Sequence, residues 1–211
     1  MRGLILKDFY NMKDNIASTV ITAICIGLLL MIKGNPSMFV LAVTLAGGSI
    51  ASTCVKMDET AKWEKYEITT PVSRKTIVLE KYVLMLILII VSLIFGSAVS
   101  LAAALITNSL NIAQLFLYVA VGFSLAIVSG SLILFCIFKF GLIKSDIFIT
   151  VCYLIPVGIF VGILVLLKFL GFDFMTGNIY RFLTFALPVI SLLFGAAIAV
   201  INVAMYQKKQ F

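Results

Sequence analysis

Residues 56–81 read KMDETAKWEKYEITTPVSRKTIVLEK and form the longest polar stretch in the chain, which we call the central segment. Apolar runs lie on both sides of it. A charged segment tethered at both ends to membrane spans lies at the bilayer surface, because the lipid interior offers no partners for its polar groups. We therefore expect the central segment to be reached by a water-soluble partner and to receive force or a signal from it.

The composition of the whole chain indicates a membrane protein. Hydrophobic residues make up 63% of the 211 residues, charged residues make up 12%, and the mean hydropathy is +1.20. In a soluble domain, charged residues make up about a quarter of the chain. The sequence therefore predicts an all-α polytopic membrane protein with a single transmembrane domain over residues 1–211.

Six apolar runs predict six transmembrane helices, since roughly 20 helical residues cross a hydrocarbon core about 30 Å thick. None of the six runs contains Asp, Glu, Lys, Arg or His. Transporters coupled to ions or protons usually need an ionisable group inside the membrane, so this composition disfavours secondary active transport. The predicted spans are residues 16–32, 38–55, 82–106, 112–138, 147–167 and 182–205.

Sequence motifs for chemistry are missing from the chain. It contains no histidine, which excludes an H-E-x-x-H metalloprotease, and no G-x-x-x-x-G-K-[ST] phosphate-binding loop. Any nucleotide hydrolysis must therefore come from another polypeptide, and we expect this chain not to be an enzyme.

Residues 1–15 predict an amphipathic helix ahead of the first span. Ile5, Phe9 and Met12 share one helical face, and Lys7 lies on the other side. This pattern is typical of a helix lying in the membrane interface. A simple lead-in to the first span is the alternative.

The positions of lysine and arginine predict the orientation. With the N-terminus inside, thirteen of the sixteen basic residues fall in inner segments, and three fall in outer turns, namely Lys33, Lys168 and Arg181. Inner loops of membrane proteins carry the excess of basic residues. Both termini and the central segment are therefore expected to face the cytoplasm. Topology and anionic membrane lipid then explain the net charge of +7, and no nucleic-acid partner is expected.

The central segment itself predicts a helix. Asp58 is a candidate N-cap for a helix from Glu59 to about Thr70, which Pro71 would end. Trp63 and Tyr66 lie on one stripe of that helix and could enter a groove on a soluble partner. The alternative is an interfacial helix that these aromatics merely anchor at the membrane surface.

Two small-residue stripes predict close packing between helices. Gly158 and Gly162 form a G-x-x-x-G in the fifth span, and Gly96, Ser100 and Ala104 form a similar stripe in the third. A contact specific to a dimer is the alternative.

The cysteines are isolated in the sequence. Each lies alone inside an apolar run, without C-x-x-C spacing. We interpret them as small apolar packing residues, with a metal or redox site as the alternative. They are Cys25, Cys54, Cys136 and Cys152.

The sequence WEKYEITTPVSRKTIVLEKY (63–82) between the second and third spans, with LKDFYNMK (6–13) near the N-terminus, resembles the permease subunits of bacterial ABC-2-type ATP-binding-cassette exporters. The resemblance covers essentially the whole chain, and W-E-x-Y-x-x-x-x-P-V-S-R-K followed by E-K-Y is its sharpest part. It implies a cytoplasmic coupling helix in the central segment that docks on a separate ATPase, with the N-terminal helix nearby.

Further expectations follow from this resemblance. It implies two permease chains, identical or different, with two ATPase chains in the bacterial cell membrane, with ATP and Mg bound by the ATPase and no cofactor bound by this chain. Family members often have a larger outer region between spans five and six, whereas residues 168–181 here are only KFLGFDFMTGNIYR, which puts an elaborate outer gate in doubt. The resemblance assigns ATPase coupling to Asp58, Glu59, Trp63, Glu64, Tyr66, Glu67, Pro71, Ser73, Arg74 and Lys75.

The expected function is that of a permease subunit in an ATP-driven exporter. Spans without charge cannot neutralise a bare multivalent ion cheaply, so we expect amphipathic or hydrophobic cargo, either peptides or lipid-like molecules. Among family members this small, exporters of short amphipathic peptides are similar. The alternative is a membrane anchor or sensor whose central helix recruits a signalling protein without moving substrate.

Overall fold

The computed structural model describes residues 7–8, 10, 18, 20–22, 24–29, 36–61, 63, 73–107, 111–140, 145–169 and 180–208, and these residues contain no β-strand. A 3₁₀ turn, Pro36–Met38, precedes the first long helix, and a π-helical turn, Phe182–Ala186, precedes the last. The long helices are α1 (Phe39–Thr60), α2 (Arg74–Ile106), α3 (Ile112–Phe140), α4 (Ser145–Phe169) and α5 (Leu187–Lys208).

Four of these helical stretches are long and apolar enough to cross a membrane, which confirms an all-α membrane protein. They correspond to the second, third, fourth and sixth predicted spans. On the first and fifth predicted spans, the described apolar helices are shorter, at residues 20–29 with a gap at 23 and at Thr150–Ile163, so six spans stay a prediction. The four stretches are Pro36–Asp58, Lys75–Ile106, Ile112–Lys139 and Phe182–Gln207.

The core lies where α1, α2 and α3 pack together, with α5 adding a few residues. Small residues let the backbones approach closely: a Cβ added to Gly48 of α1 would lie 3.2 Å from the Ala126 carbonyl oxygen of α3. Such close approaches help to hold helices together in lipid, where hydrophobic burial cannot drive their association. Fully buried core side chains include Val40, Val78, Leu84, Met85, Ile89, Val121, Ile127, Ile133 and Leu134.

The two predicted small-residue stripes differ in the structure. On α2, a Cβ added to Gly96 would lie 3.3 Å from Val40 Cα, and Ser100 and Ala104 are buried. This stripe packs closely, as predicted. On α4, a Cβ added to Gly158 or Gly162 would meet no described atom within 4 Å. The close packing predicted for the α4 stripe is therefore absent among the described helices of this chain.

The π-helical form of the turn Phe182–Ala186 is explained by the proline that follows it. The Leu187 N–H donates to the Phe182 carbonyl, five residues back, instead of four. Pro188 has no N–H, and in a regular helix its ring would clash with the carbonyl four residues before it. A wider π turn at this point accommodates the proline and still pairs the neighbouring backbone groups.

Both helices that flank the central segment extend into it. The predicted second span ends at Val55, whereas α1 continues to Thr60. The predicted third span begins at Tyr82, whereas α2 begins at Arg74, with Ser73 as its N-cap. The stretch between the two helices is therefore shorter than the central segment, and several charged residues of the central segment belong to α1 or α2.

Candidate coupling site

Charged side chains from three parts of the chain meet where α1 ends and α2 begins. The Lys81 Nζ of α2 lies 2.5 Å from Asp58 Oδ2 of α1 and 2.5 Å from Asp8 Oδ2 of the N-terminal segment. The Lys7 Nζ lies 2.7 Å from Asp58 Oδ1 and 3.3 Å from Asp8 Oδ1. Glu80 lies next to them, with its Oε2 3.7 Å from the Lys81 Nζ. We call Lys7, Asp8, Asp58, Glu80 and Lys81 the ion-pair cluster.

Four members of the ion-pair cluster are buried, and the fifth, Lys7, is partly exposed. Asp8 is 0% exposed, Lys81 4% and Asp58 7%. Buried charges are costly unless they are paired and hydrogen-bonded, and removal of one partner leaves the other uncompensated. Lys81 is therefore the central member of the cluster, because a single ammonium group binds one carboxylate from each of two separate chain segments.

Glu80 is the member with the weakest pairing. It is 1% exposed, and neither of its carboxyl oxygens has a hydrogen-bond partner among the described residues. Three carboxyl groups face two ammonium groups, so the cluster carries one excess negative charge when all five are ionised. Because an uncompensated buried charge is unfavourable, Glu80 contributes least to the stability of the cluster.

The cluster also contacts the central segment through an aromatic ring. The Lys7 Nζ lies 4.6 Å from the centre of the Trp63 ring, within the range of a cation–π interaction. Lys7 thus pairs with α1 through Asp58 and with the central segment through Trp63. The N-terminal segment, both flanking helices and Trp63 are joined in one network of charged contacts.

A sequence profile described as ABC-2 family transporter protein matches residues 3–207. The chain belongs to the ABC-2 transporter family. It is therefore a multi-pass membrane protein and a permease subunit of an ABC transporter, and membership implies a cytoplasmic ATPase on a separate chain. No curated protein and no solved structure matched the chain.

The permease places several of the predicted coupling residues differently from the sequence expectation. Asp58 is not the N-cap of a separate helix, because it lies inside the last turns of α1 and pairs with Lys7 and Lys81. Glu59 is in the same helix. An N-cap residue must lie outside helical geometry, which the unbroken α1 does not allow at this position.

The second half of the predicted coupling set lies at the start of α2 or outside the described residues. Ser73 caps α2, and its side chain accepts a hydrogen bond from the Thr76 N–H. Arg74 and Lys75 form the first turn of that helix. The predicted residues Glu64, Tyr66, Glu67 and Pro71, and the predicted interfacial residues Ile5, Phe9 and Met12, lie outside the described residues.

Sequence reasoning missed the cluster because it assigned Glu80 and Lys81 to a polar loop. One signal could have revealed Lys81. The positions Ile77, Lys81, Leu84 and Leu88 follow helical spacing, and all four are buried on the same side of α2. A lysine that continues an apolar helical stripe needs a buried carboxylate partner, and Asp8 and Asp58 were available.

The described residues contain no group of His, Cys, Asp and Glu that could hold a metal ion. The charged contacts of the cluster can hold the helices in a fixed arrangement.

Proposed function

We propose that this permease works with a second permease chain and two cytoplasmic ATPase chains as an exporter of amphipathic or hydrophobic molecules from a bacterial cell. The observation that carries the proposal is the ion-pair cluster, which joins the N-terminal segment to α1 and α2 at the two ends of the central segment. An ATPase that pulls on the central segment would then move both flanking helices together.

The strength of the cluster supports this mechanical role. Lys81 and its two aspartates are buried, so their separation would expose charges to a medium of low dielectric. A contact of this kind resists gradual sliding, and the joined elements tend to move as one body. Trp63, through its contact with Lys7, would transmit displacement of the central segment to the same body.

The proposal assigns the docking surface for the ATPase to the last turn of α1, from Glu59, and to the residues that follow it up to Lys75. Asp58 is occupied inside the permease by Lys7 and Lys81, so it would act by fixing the segment and not by direct contact. Trp63 and Tyr66 would supply buried aromatic anchors, as aromatic residues do in many interfaces. The remaining docking residues of the proposal are Glu59, Glu64, Glu67, Pro71, Ser73, Arg74 and Lys75.

Apolar grooves between the helices support the proposed cargo class. A groove of about 350 Å³ lies between the helical residues near Val20, α1 and α2, and Ser92 adds a hydroxyl to its apolar wall. A second groove, of about 420 Å³, lies between α3, α4 and α5 and includes Ser124 and Ser191. Walls of this composition suit hydrocarbon or aromatic groups with a few polar atoms, and they do not suit a bare ion.

The test is transport by the purified permease and its ATPase in lipid vesicles. We expect a labelled amphipathic helical peptide to move across the bilayer with ATP and not with a non-hydrolysable analogue. A labelled sugar of similar mass serves as the control and should stay where it was loaded. A complex that assembles and hydrolyses ATP but moves no amphipathic peptide or lipid would favour the anchor or sensor alternative.

The orientation belongs to the same proposal and has its own test. In a chain without native cysteines, Lys62→Cys should react with a membrane-impermeant maleimide only from the cytoplasmic side. Asn108→Cys should react only from the outer side. The excess of basic residues on the inner side is the basis for this expectation. Labelling with the opposite sidedness would exclude the proposed docking of a cytoplasmic ATPase on the central segment.

A further inference from the structure

Two cysteines on different helices lie next to each other between α3 and α4. The Cys136 Sγ lies 3.3 Å from the Cys152 Sγ, and the two residues are sixteen positions apart on different helices. Both thiols are free and partly buried. A disulfide has an S–S distance of about 2.05 Å, so the sulfurs need to approach by only about 1.3 Å.

A bond between the two cysteines would restrict the position of α4. This helix packs mainly on α3, and the Tyr153 hydroxyl donates to the Leu45 carbonyl of α1 at 3.1 Å. A groove of about 420 Å³ lies on one side of α4, beside Ile155 and Ile159, and one of about 320 Å³ lies on the other, beside Tyr153. α4 therefore has room to shift relative to the core, and a covalent bond to α3 would oppose that shift.

We propose that Cys136 and Cys152 form a reversible disulfide that fixes α4 to α3 and inhibits transport. The co-reactant is a small disulfide that can reach the membrane interface. One cysteine, as its thiolate, attacks a sulfur of this compound and releases one small thiol. The second cysteine then attacks the protein sulfur of the mixed disulfide and releases the other. The two cysteines lose two electrons, the small disulfide gains them, and the two thiol protons pass to the released small thiols.

The pair is more accessible than Cys54 and less exposed than Cys25, the other two described cysteines. Cys136 lies four residues before the end of α3, and Cys152 lies seven residues after the start of α4, so both are near helix ends. Cys54 is 1% exposed in the core, and Cys25 is exposed. Once the exposed Cys25 is replaced, a small reagent can therefore test proximity at the pair against burial at Cys54.

The experiment treats membrane vesicles that contain the Cys25→Ala variant with a small aromatic disulfide. Free thiols are then blocked with a maleimide, and the peptides are analysed by mass spectrometry without reduction. We expect one cross-linked peptide that joins Cys136 to Cys152, and we expect Cys54 to stay reduced. Mixed disulfides with the reagent at either cysteine, without the cross-link, would overturn the proposal. So would recovery of both cysteines in the reduced form.

The inhibitory effect rests on the proposed transport function and has a separate readout. In vesicles that also contain the ATPase, oxidation should abolish most ATP-dependent peptide transport, and a reductant should restore it. Cys136→Ser, which cannot form the bond, should keep its transport under the same treatment. A cross-link that leaves transport unchanged would overturn the inhibitory role. Failure of transport before oxidation would instead count against the proposed function, while the cross-linking result would still stand.

Discussion

Two helices of this permease carry the same kind of small-residue stripe but are held by the molecule to very different degrees. α2 is fixed at its start by the ion-pair cluster and along its length by the close contact of Gly96 with α1. α4 packs mainly on α3, and its Gly158 and Gly162 have no neighbour within 4 Å of an added Cβ among the described residues. Identical spacing therefore predicts a surface that can pack closely, but it does not predict which helix will fill it.

The contrast suggests different roles for the two helices. The start of α2 shares buried ion pairs with two other segments, so in the proposed complex α2 would belong to the body that receives displacement from the central segment. α4 presents an apolar, glycine-containing face, with Leu154 and Ile159 exposed, to whatever lies beside the chain in the membrane. In the proposed complex, a second permease chain would meet this face.

The largest effect is expected from the loss of Lys81, the residue that most clearly fixes α2. Lys81→Met leaves Asp8 and Asp58 buried without their shared ammonium group. Breaking a buried ion pair in this way costs about 3 to 5 kcal/mol. We expect a matching fall in the thermal stability of the purified permease and in its amount in the membrane. Arg181→Met, which removes an exposed cation, is the matched control and should change little.

A rescue variant checks that the loss comes from charge and not from the shape of methionine. Asp8→Asn and Asp58→Asn, added to Lys81→Met, should recover part of the stability because the two carboxylates that Lys81 paired are then replaced by neutral amides. If Lys81→Met alone had wild-type stability, α2 would not depend on the cluster and the contrast with α4 would fail.

The next effect in size concerns the two stripes themselves. Gly96→Leu forces a side chain against Val40, and overpacking of this kind typically costs about 1 to 3 kcal/mol. A side chain at Gly158 meets no described atom within 4 Å of its Cβ, so Gly158→Leu should leave the stability of the isolated chain unchanged. Chemical denaturation of both variants in detergent measures the difference. Equal destabilisation would show that the face of α4 is already packed within the chain.

A measurement of permease pairing tests whether the glycine face of α4 contacts a second permease chain. If a second permease chain covers the glycine face, Gly158→Leu should weaken permease pairing while it leaves the isolated fold intact. Cross-linking yield in vesicles, compared with that of Gly96→Leu, measures this pairing. Wild-type pairing in Gly158→Leu would place the contact between permeases on another face.

The smallest effect is expected at the polar contact between α2 and α5. The Asn202 Nδ2 donates to the Tyr82 hydroxyl oxygen at 2.7 Å in the buried interior. Hydrogen bonds between helices in membranes contribute about 0.6 kcal/mol on average. A double-mutant cycle with Tyr82→Phe and Asn202→Leu should give a coupling free energy of that size. If this coupling free energy exceeded the one measured in the same way for Lys81 and Asp58, the expected order of the contacts that hold α2 would be wrong.

The sequence was sufficient to predict the membrane class and four spans, because hydropathy summed over about twenty residues is a strong signal. The ends of α1 and α2 were not predictable in the same way. Lys56, Asp58 and Lys81 each look like loop residues when they are considered alone. In the structure Asp58 and Lys81 pair with each other and with residues up to 73 positions away, and no local pattern contains such partners.

The contacts of the candidate site residues were also not predictable from local sequence patterns. Lys7 and Asp8 were interpreted as part of an interfacial helix, whereas the structure brings them to Asp58 and Lys81. The contact between Cys136 and Cys152 crosses from one helix to the next, so no C-x-x-C spacing marks it. Trp63 was predicted as an anchor from its position in the central segment, and only the structure revealed its contact with Lys7.

The central claim is that the ATPase acts on the permease through the central segment, and one measurement tests it most directly. The ATPase is co-purified in detergent with wild-type permease, with the Trp63→Ala and Tyr66→Ala double variant, and with Lys62→Ala as control. Permease amounts are matched first. We predict that the double variant loses about 2 kcal/mol of binding free energy, roughly a thirtyfold fall in affinity, together with transport. Lys62→Ala should bind normally. Full recovery of the ATPase and normal transport with the double variant would contradict the account.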